Sequence, residues 1–178
     1  MESGKALKQQ IRLAEINSDS SATTIDHARE LLLEYGRFVV AQPGAAQFCF
    51  GSLEMEAAGL PESFLDQGGG CMLAYAGELQ AGFVAWRTVP ATVAPNAWEM
   101  KRLWVRPQAR GLDLGRILTM AVVDRARAAQ RTAIYLDTVP ASMGNAYRLY
   151  LDLGFKPCSP YNDNAMEGIT YLSLSLQC

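Results

Sequence analysis

The stretch Val105–Leu118, VRPQARGLDLGRIL, changes character halfway along and indicates how the chain around it folds. It begins as the end of a strand, passes through a turn containing Pro, Arg and Gly, and continues as an amphipathic helix. A helix N-terminus exposes unpaired backbone N–H groups and about half a unit of positive charge. Arg106, Arg110 and Arg116 add cations near that positive end. The unit therefore predicts an anion site, and phosphate is the anion most often bound there.

This anion-site signal is only moderately specific, because a strand, a glycine-bearing turn and a helix follow one another in many folds. No GK[ST] follows the turn, so it is not a Walker loop. The glycines are too few for a dinucleotide-binding fingerprint. On these residues alone, a purely structural turn is as good an interpretation as a phosphate site.

The residues on either side of this unit predict one α/β domain with a mixed sheet. Alternating or β-rich segments predict strands over 11–16, 71–89 (a hairpin around Gly77), 98–105, 132–138 and 169–176. Helical spacing of apolar residues predicts helices over 25–42, 45–59, 114–129 and 142–153. No repeat and no long linker interrupts these segments, so we expect residues 1–178 to form a single domain.

Composition narrows the class of protein. The chain has 178 residues, of which 49% are hydrophobic and 19% charged, which is ordinary for a globular domain. A net charge of −2 argues against a nucleic-acid partner. The apolar runs are too short to span a bilayer, and the first residues lack the apolar stretch of a secretory signal. We therefore expect a cytoplasmic protein with neither a nucleic-acid nor a membrane partner.

Metal-ligating residues are sparse. The single histidine is His27, and the cysteines are widely separated, at Cys49, Cys71, Cys158 and Cys178. Zinc sites usually need closely spaced pairs of such ligands, so we expect no metal. Free thiols are favoured over disulfides for a protein of the reducing cytosol.

Two motifs give the chain a specific resemblance to a known family. The run EMKRLWVRPQARGLDLGRIL, residues 99–118, resembles the acyl-CoA-binding core of the GNAT superfamily of N-acetyltransferases. In that family the pattern R/Q-x-x-G-x-G/A stands at a strand–helix junction. The run ASMGNAYRLYLDLGF, residues 141–155, is similar to the family's A-x-x-L-Y-x-x-x-G-F helix. The resemblance covers about residues 71–176, and for residues 11–65 it extends only to the order of elements.

The resemblance implies a mixed, mostly antiparallel sheet, flanked by helices and splayed open between the strands over 98–105 and 132–138. It implies acetyl-CoA as the co-substrate, with the pantetheine arm along the main chain of Leu103, Trp104 and Val105. The diphosphate is expected on the backbone N–H groups of the turn, which comprises Arg110, Gly111, Leu112, Asp113, Leu114, Gly115 and Arg116. Arg106 and Arg116 lie within reach of the phosphates, with solvated surface arginines as the alternative.

The activity implied is direct transfer of an acetyl group to a primary amine of a small metabolite or an amino-acid-like acceptor. A catalytically weak acyl-CoA sensor, an enzyme acting on protein N-termini or lysines, and an unrelated binder of phosphate esters are the alternatives. A homodimer is compatible with exposed strand edges, which often pair in such folds.

Two positions depart from the family's pattern. Asp113 stands where the motif usually has its first glycine. Its carboxylate could cap the helix and compete with phosphate, or it could point away and leave the main chain free, and we favour the second. Met143 stands where many relatives carry an Asn that helps to hold the pantetheine, and Asn145 points elsewhere on the helix.

Acetyl transfer to an amine needs a neutral amine, a donor for the oxyanion and a proton for the departing thiolate. The resemblance assigns the acid to Tyr150, although spacing alone favours a packing role on the apolar face of its helix. Glu99 is the candidate base, with a plain Glu99–Lys101 ion pair as the alternative. Strand alternation places both on one face together with Leu103 and Val105, unless a bulge intervenes.

The acceptor side of the site is weakly marked. Glu54 and Glu56 could line it, or lie on a solvated helix face. Asp137 ends a strand near the expected cleft, where capping of the next turn is the usual role. The polar loop Tyr161–Asn164 could close over the acceptor, although a simple connection is the default interpretation.

Overall fold

The computed structural model describes residues 10–45, 48, 50–164 and 166–177. The described residues form seven strands and five α-helices: β1 (Ile11–Ile16), α1 (Ala22–Val40), α2 (Phe50–Ala58), α3 (Glu62–Leu65), β2 (Gly70–Ala76), β3 (Leu79–Thr88), β4 (Trp98–Val105), α4 (Leu114–Ala128), β5 (Ala133–Thr138), α5 (Gly144–Asp152), β6 (Lys156–Pro157) and β7 (Thr170–Ser175). A short 3₁₀ turn, Pro107–Ala109, lies between β4 and α4. The strand order is β1-β2-β3-β4-β5-β7-β6. Only β4 and β5 are parallel among these described neighbours.

The predicted fold class is confirmed, and most elements lie where the periodicity places them. Strands β1 and β4 have the predicted bounds, and α4 begins at the predicted Leu114. The helix predicted over 45–59 begins only at Phe50, and three residues of its first part, 46, 47 and 49, lie outside the described residues. The single-turn helix α3 was not predicted, because four residues are too few to show a helical period.

Helices cover both faces of the sheet, and each face has its own apolar core. Leu118 of α4 is buried on one face and Leu32 of α1 on the other. Strand β3 serves both cores, since Phe83 packs on the α1 face and the next residue, Val84, on the α4 face. Full burial of one such side chain contributes about 1.5–3 kcal/mol. The two cores therefore hold the sheet rigidly between the helices.

The sheet opens between β4 and β5, as the resemblance implies. The two strands pair only at Trp98–Ile134 and Glu99–Tyr135, and β4 continues to Val105 without a partner on that side among the described residues. The predicted splayed strand pair is therefore confirmed.

A β-bulge at Arg102 lies beside this opening. Phe83 is opposite Trp104 and Ala85 is opposite Lys101, so β4 has one residue more than β3 in between. Arg102 adopts a left-handed backbone conformation with φ +60°. The extra residue ends the strand alternation, and Leu103 and Val105 therefore pack on the α4 core instead of sharing a face with Glu99.

Cys71 is buried and Cys158 half-buried, and both are free thiols, in line with the prediction for these two residues. Cys49 and Cys178 lie outside the described residues. In the part of the chain that the structure describes, none of the helices combines the length and the apolar character needed to cross a membrane.

Candidate functional site

A cleft of about 530 Å³, here called the large cleft, runs along the end of β4 and the N-terminus of α4. Strand β4, the turn after it and the first half of α5 form its walls, and α1 closes one side. Most of the residues predicted to hold acyl-CoA border it: Leu103, Trp104, Val105, Arg110, Gly111, Asp113, Leu114 and Gly115. Leu112 and Arg116 belong to the same turn but are not among the lining residues.

Several backbone N–H groups at the start of α4 are available to a ligand. The first regular helical bond at this end runs from the Ile117 N–H to the Asp113 carbonyl, at 3.0 Å. The amides that make no hydrogen bond within the described part of the chain are those of Gly111, Asp113, Leu114, Gly115 and Arg116. Gly111 has φ +84°, a conformation that glycine adopts without steric cost. This arrangement fits an anion with several oxygens.

Asp113 does not cap the helix with its side chain. It occupies the N-cap position with φ 61° and ψ 20°, and its carboxylate makes no capping hydrogen bond. The side chain is instead exposed, with Oδ1 3.6 Å from Nε of Arg116. Of the two alternatives for Asp113, the geometry is that of a side chain turned away from the amides. The left-handed backbone also explains why glycine suits this position.

Arg106 has a different role from the one considered for it. It is only 8% exposed, and its Nη2 lies 2.8 Å from Oε1 of Glu34 and 3.0 Å from Oε1 of Glu30. Nε1 of Trp104 also donates to Glu34, at 3.1 Å. Arg106 is therefore not a solvated surface arginine, because its ion pairs join α1 to the end of β4. Arg116 remains half-exposed at the mouth of the turn.

A second space of about 50 Å³, here called the small cavity, adjoins the large cleft. The two share four lining residues: Tyr35, Leu103, Met143 and Ala146. The rest of its lining comes from the middle of β4, the end of β5 and Tyr150 of α5. The small cavity therefore occupies the gap between the diverging strands. Tyr35 lies in the helix predicted over 25–42, and periodicity alone could not show that it borders both spaces.

Tyr150 packs in the core and also borders the small cavity. It is 6% exposed, and its ring packs against Phe155 with centroids 5.8 Å apart, yet it also borders the small cavity. Its hydroxyl has no hydrogen-bond partner among the described residues. Burial raises the pKa of the phenol above its ordinary value near 10, and the charges of Tyr35 and Asp137 raise it further. Tyr150 is therefore protonated throughout the neutral pH range.

Glu99 lies in a buried ion cluster and lines neither space. The residue is 3% exposed, and its Oε2 accepts from Nε of Arg87 at 2.7 Å. Oε1 accepts from Lys101 at 3.2 Å and from the Tyr161 hydroxyl at 3.0 Å. Burial by itself would raise the pKa of Glu99, but Lys101 and Arg87 outweigh it and hold that pKa below the usual value. This arrangement does not support a base role and is that of a structural anchor.

The polar loop Tyr161–Asn164 packs on the start of β4 and the end of β5. Oδ2 of Asp137 accepts from the side-chain amides of Asn162, at 2.8 Å, and of Asn164, at 3.2 Å. Asn162 also donates to Oε1 of Glu99 at 3.3 Å. The loop therefore does more than connect two strands. Asp137 lines the small cavity, and its carboxylate accepts from side chains of the loop rather than from turn amides, so the capping interpretation is wrong.

The two helix α2 carboxylates considered for the acceptor site line neither space. Glu54 is exposed, and Glu56 pairs with Nε of Arg102 at 2.9 Å. Arg102 itself borders the small cavity, and Asn145 and Arg148 border the large cleft. No group of three His, Cys, Asp or Glu residues arranged to hold a metal ion occurs among residues 10–45, 48, 50–164 and 166–177.

Comparison with known proteins places this geometry in context. The model of the acetyltransferase (GNAT) family matches residues 28–155. An uncharacterized N-acetyltransferase of Schizosaccharomyces pombe is 37% identical over 82 residues, which are 46% of this chain and 50% of that relative. The match thus spans about half the length of the relative.

Solved structures share the fold at low sequence identity. A GNAT-family acetyltransferase from Staphylococcus aureus has a TM-score of 0.71 at 18% identity, covering 94% of this chain and 100% of that one. An acetyltransferase from Bacillus subtilis, solved in complex with CoA, has a TM-score of 0.63 at 18% identity, with 94% and 100% covered.

Proposed function

The chain belongs to the acetyltransferase (GNAT) family, and we propose that it transfers an acetyl group from acetyl-CoA to a primary amine of a small acceptor. The observation that carries this proposal is the juxtaposition of unpaired amides at the start of α4 with the gap between β4 and β5. The first feature suits a diphosphate and the second suits a slender thioester arm. Together they would direct the acyl group toward the small cavity.

The co-substrate would be held largely by main-chain groups. In this proposal the diphosphate lies on the amides of Gly111 and of 113–116, with Arg110 beside it. The pantetheine arm lies along Leu103–Val105, where β4 has no strand partner on the β5 side in the described part of the chain. Met143 borders both spaces at the position where relatives carry an Asn, so a thioether replaces the amide contact.

The chemistry would take place where the two spaces meet. The neutral amine attacks the thioester carbonyl, the C–N bond forms and the C–S bond breaks, and Tyr150 gives a proton to the departing sulfur. Water removes the proton that the amine must lose, and solvent returns a proton to Tyr150 after the thiol departs. Since burial keeps the pKa of Tyr150 high, its proton is present at the start of each turnover.

The test of this function is a transfer assay with acetyl-CoA and a panel of small primary amines, alongside peptides with free N-termini or lysines. We expect amine-dependent release of the CoA thiol and an acetylated amine detectable by mass spectrometry. Binding of CoA without turnover for any acceptor would indicate the sensor instead. Equal affinity for CoA and simple nucleotides would indicate a general binder of phosphate esters.

Replacing Asp113 with Gly tests the main-chain cradle. Because the Asp113 side chain makes no capping bond and its backbone is left-handed, Asp113→Gly should bind CoA within about threefold of the wild type or more tightly. Isothermal titration calorimetry measures this. Asp113→Ala is the matched comparison, since it removes the carboxylate but keeps a β-carbon at φ 61°. A large loss of affinity in Asp113→Gly would contradict the cradle as described.

A further inference from the structure

We propose that Asp137 binds the ammonium group of the acceptor in the small cavity. This inference rests on the proposed acetyl transfer and concerns the acceptor side of the same site. It assigns to Asp137 a binding role and leaves proton removal to water.

Charge balance around the small cavity is the first line of support. Three charged side chains border it: Lys101, Arg102 and Asp137. Each of the two cations has its own carboxylate, Lys101 with Glu99 at 3.2 Å and Arg102 with Glu56 at 2.9 Å. Asp137 has no Lys or Arg nitrogen within 4.0 Å among the described residues. Its negative charge is therefore available to a cation from outside.

The carboxylate of Asp137 is held in place with one oxygen left over. Oδ2 accepts both side-chain hydrogen bonds, one from the amide of Asn162 and one from the amide of Asn164. Oδ1 makes no hydrogen bond within the described residues. The backbone N–H of Asn164 in turn donates to Oδ1 of Asn162 at 3.0 Å, which orients that side chain and its NH₂ group. A fixed acceptor oxygen with no partner is what an ammonium donor requires.

The dimensions of the small cavity limit what can enter it. Its volume is about 50 Å³, much smaller than the 530 Å³ of the large cleft. The small cavity therefore suits a small charged group such as an ammonium, and the larger parts of a substrate lie outside it. The cavity adjoins the large cleft through Leu103 and Met143, so an amine bound at Asp137 faces the thioester end of the other substrate.

The experiment uses butylamine as the probe in two measurements. Calorimetry of butylamine with the complex of the full chain and CoA reports binding without turnover. Asp137→Asn keeps the side-chain shape. We expect it to weaken the binding of butylamine at least tenfold, while the affinity for CoA changes less than twofold. Steady-state kinetics should show the loss mainly in KM. Asp163→Asn changes an exposed carboxylate of the same loop, and it should leave both the affinity and the KM for butylamine unchanged.

Should Asp137→Asn fail to fold, Asn164→Ala keeps the carboxylate but removes one of its donors, and it should raise the KM for butylamine severalfold.

The outcomes separate this inference from the proposed function. Equal binding of butylamine by the wild type and Asp137→Asn, or no binding by the wild type, would overturn the role of Asp137. Turnover of amines in those same experiments would leave the transferase function intact. Binding of butylamine that depends on Asp137, without turnover of any amine, would refute the transferase function but not the ammonium site.

Discussion

Replacing Tyr150 with Phe should lower kcat about 100-fold and leave the Kd for CoA within a factor of two. The phenol borders the small cavity, and its hydroxyl makes no hydrogen bond within the described residues, so removing the oxygen breaks no internal contact. The ring still packs against Phe155, which preserves the core. The lost rate therefore reports only the proton given to the departing sulfur. Steady-state assays of CoA thiol release give kcat, and isothermal titration calorimetry gives the Kd for CoA.

Tyr147→Phe is the matched control for this experiment. Tyr147 lies one turn earlier on α5, packs against the same core and does not border either space. Removing the Tyr147 hydroxyl should leave kcat unchanged. If Tyr150→Phe also turned over at the wild-type rate, Tyr150 would be a packing residue and another group would protonate the thiolate.

Replacing Glu99 with Gln should lower the free energy of unfolding by about 3 kcal/mol at neutral pH, because Arg87 and Lys101 then lose their buried partner. The effect has a defined pH dependence. The folded-state pKa of Glu99 lies below its unfolded value near 4.3, so its contribution is present above that value and is lost as the pH falls through the folded pKa. The difference between wild type and variant should therefore shrink below about pH 4. Urea unfolding of the wild type and the variant, at neutral pH and below about pH 4, measures this difference in the free energy of unfolding.

Glu54→Gln is the control for stability, since Glu54 is exposed and should contribute less than about 0.5 kcal/mol. Activity of folded Glu99→Gln answers a separate question. We expect its kcat to stay within about fivefold of the wild type, as for a residue outside the reacting groups. A 100-fold loss in the folded variant would restore the base role predicted from the sequence, and a loss of stability independent of pH would contradict the ion cluster.

Local signals explain why so much of the fold could be predicted. The bounds of β4 and the start of α4 follow from alternation, a proline and the glycine turn, all within 20 residues of one another. The splay between β4 and β5 came from the family resemblance, since no property of either strand taken alone predicts it. The bulge at Arg102 could not be predicted, because Arg is not a residue that signals a left-handed backbone.

The parts of the site that sequence reasoning missed depend on distant contacts. The Arg106–Glu34 pair joins residues 72 positions apart, and the Tyr161–Glu99 bond spans 62 positions. The sequence did not indicate either pair, because only folding brings such distant partners close. The amide cradle was predictable because its donors belong to one continuous turn.

Asn162 donates the same side-chain nitrogen to Glu99 and to Asp137. One amide thus links Glu99, which anchors the 161–164 loop, to the carboxylate proposed to bind the acceptor. Under that proposal, exchange of this short loop is expected to change acceptor preference among descendants of this chain, while the sheet and the turn before α4 are inherited unchanged.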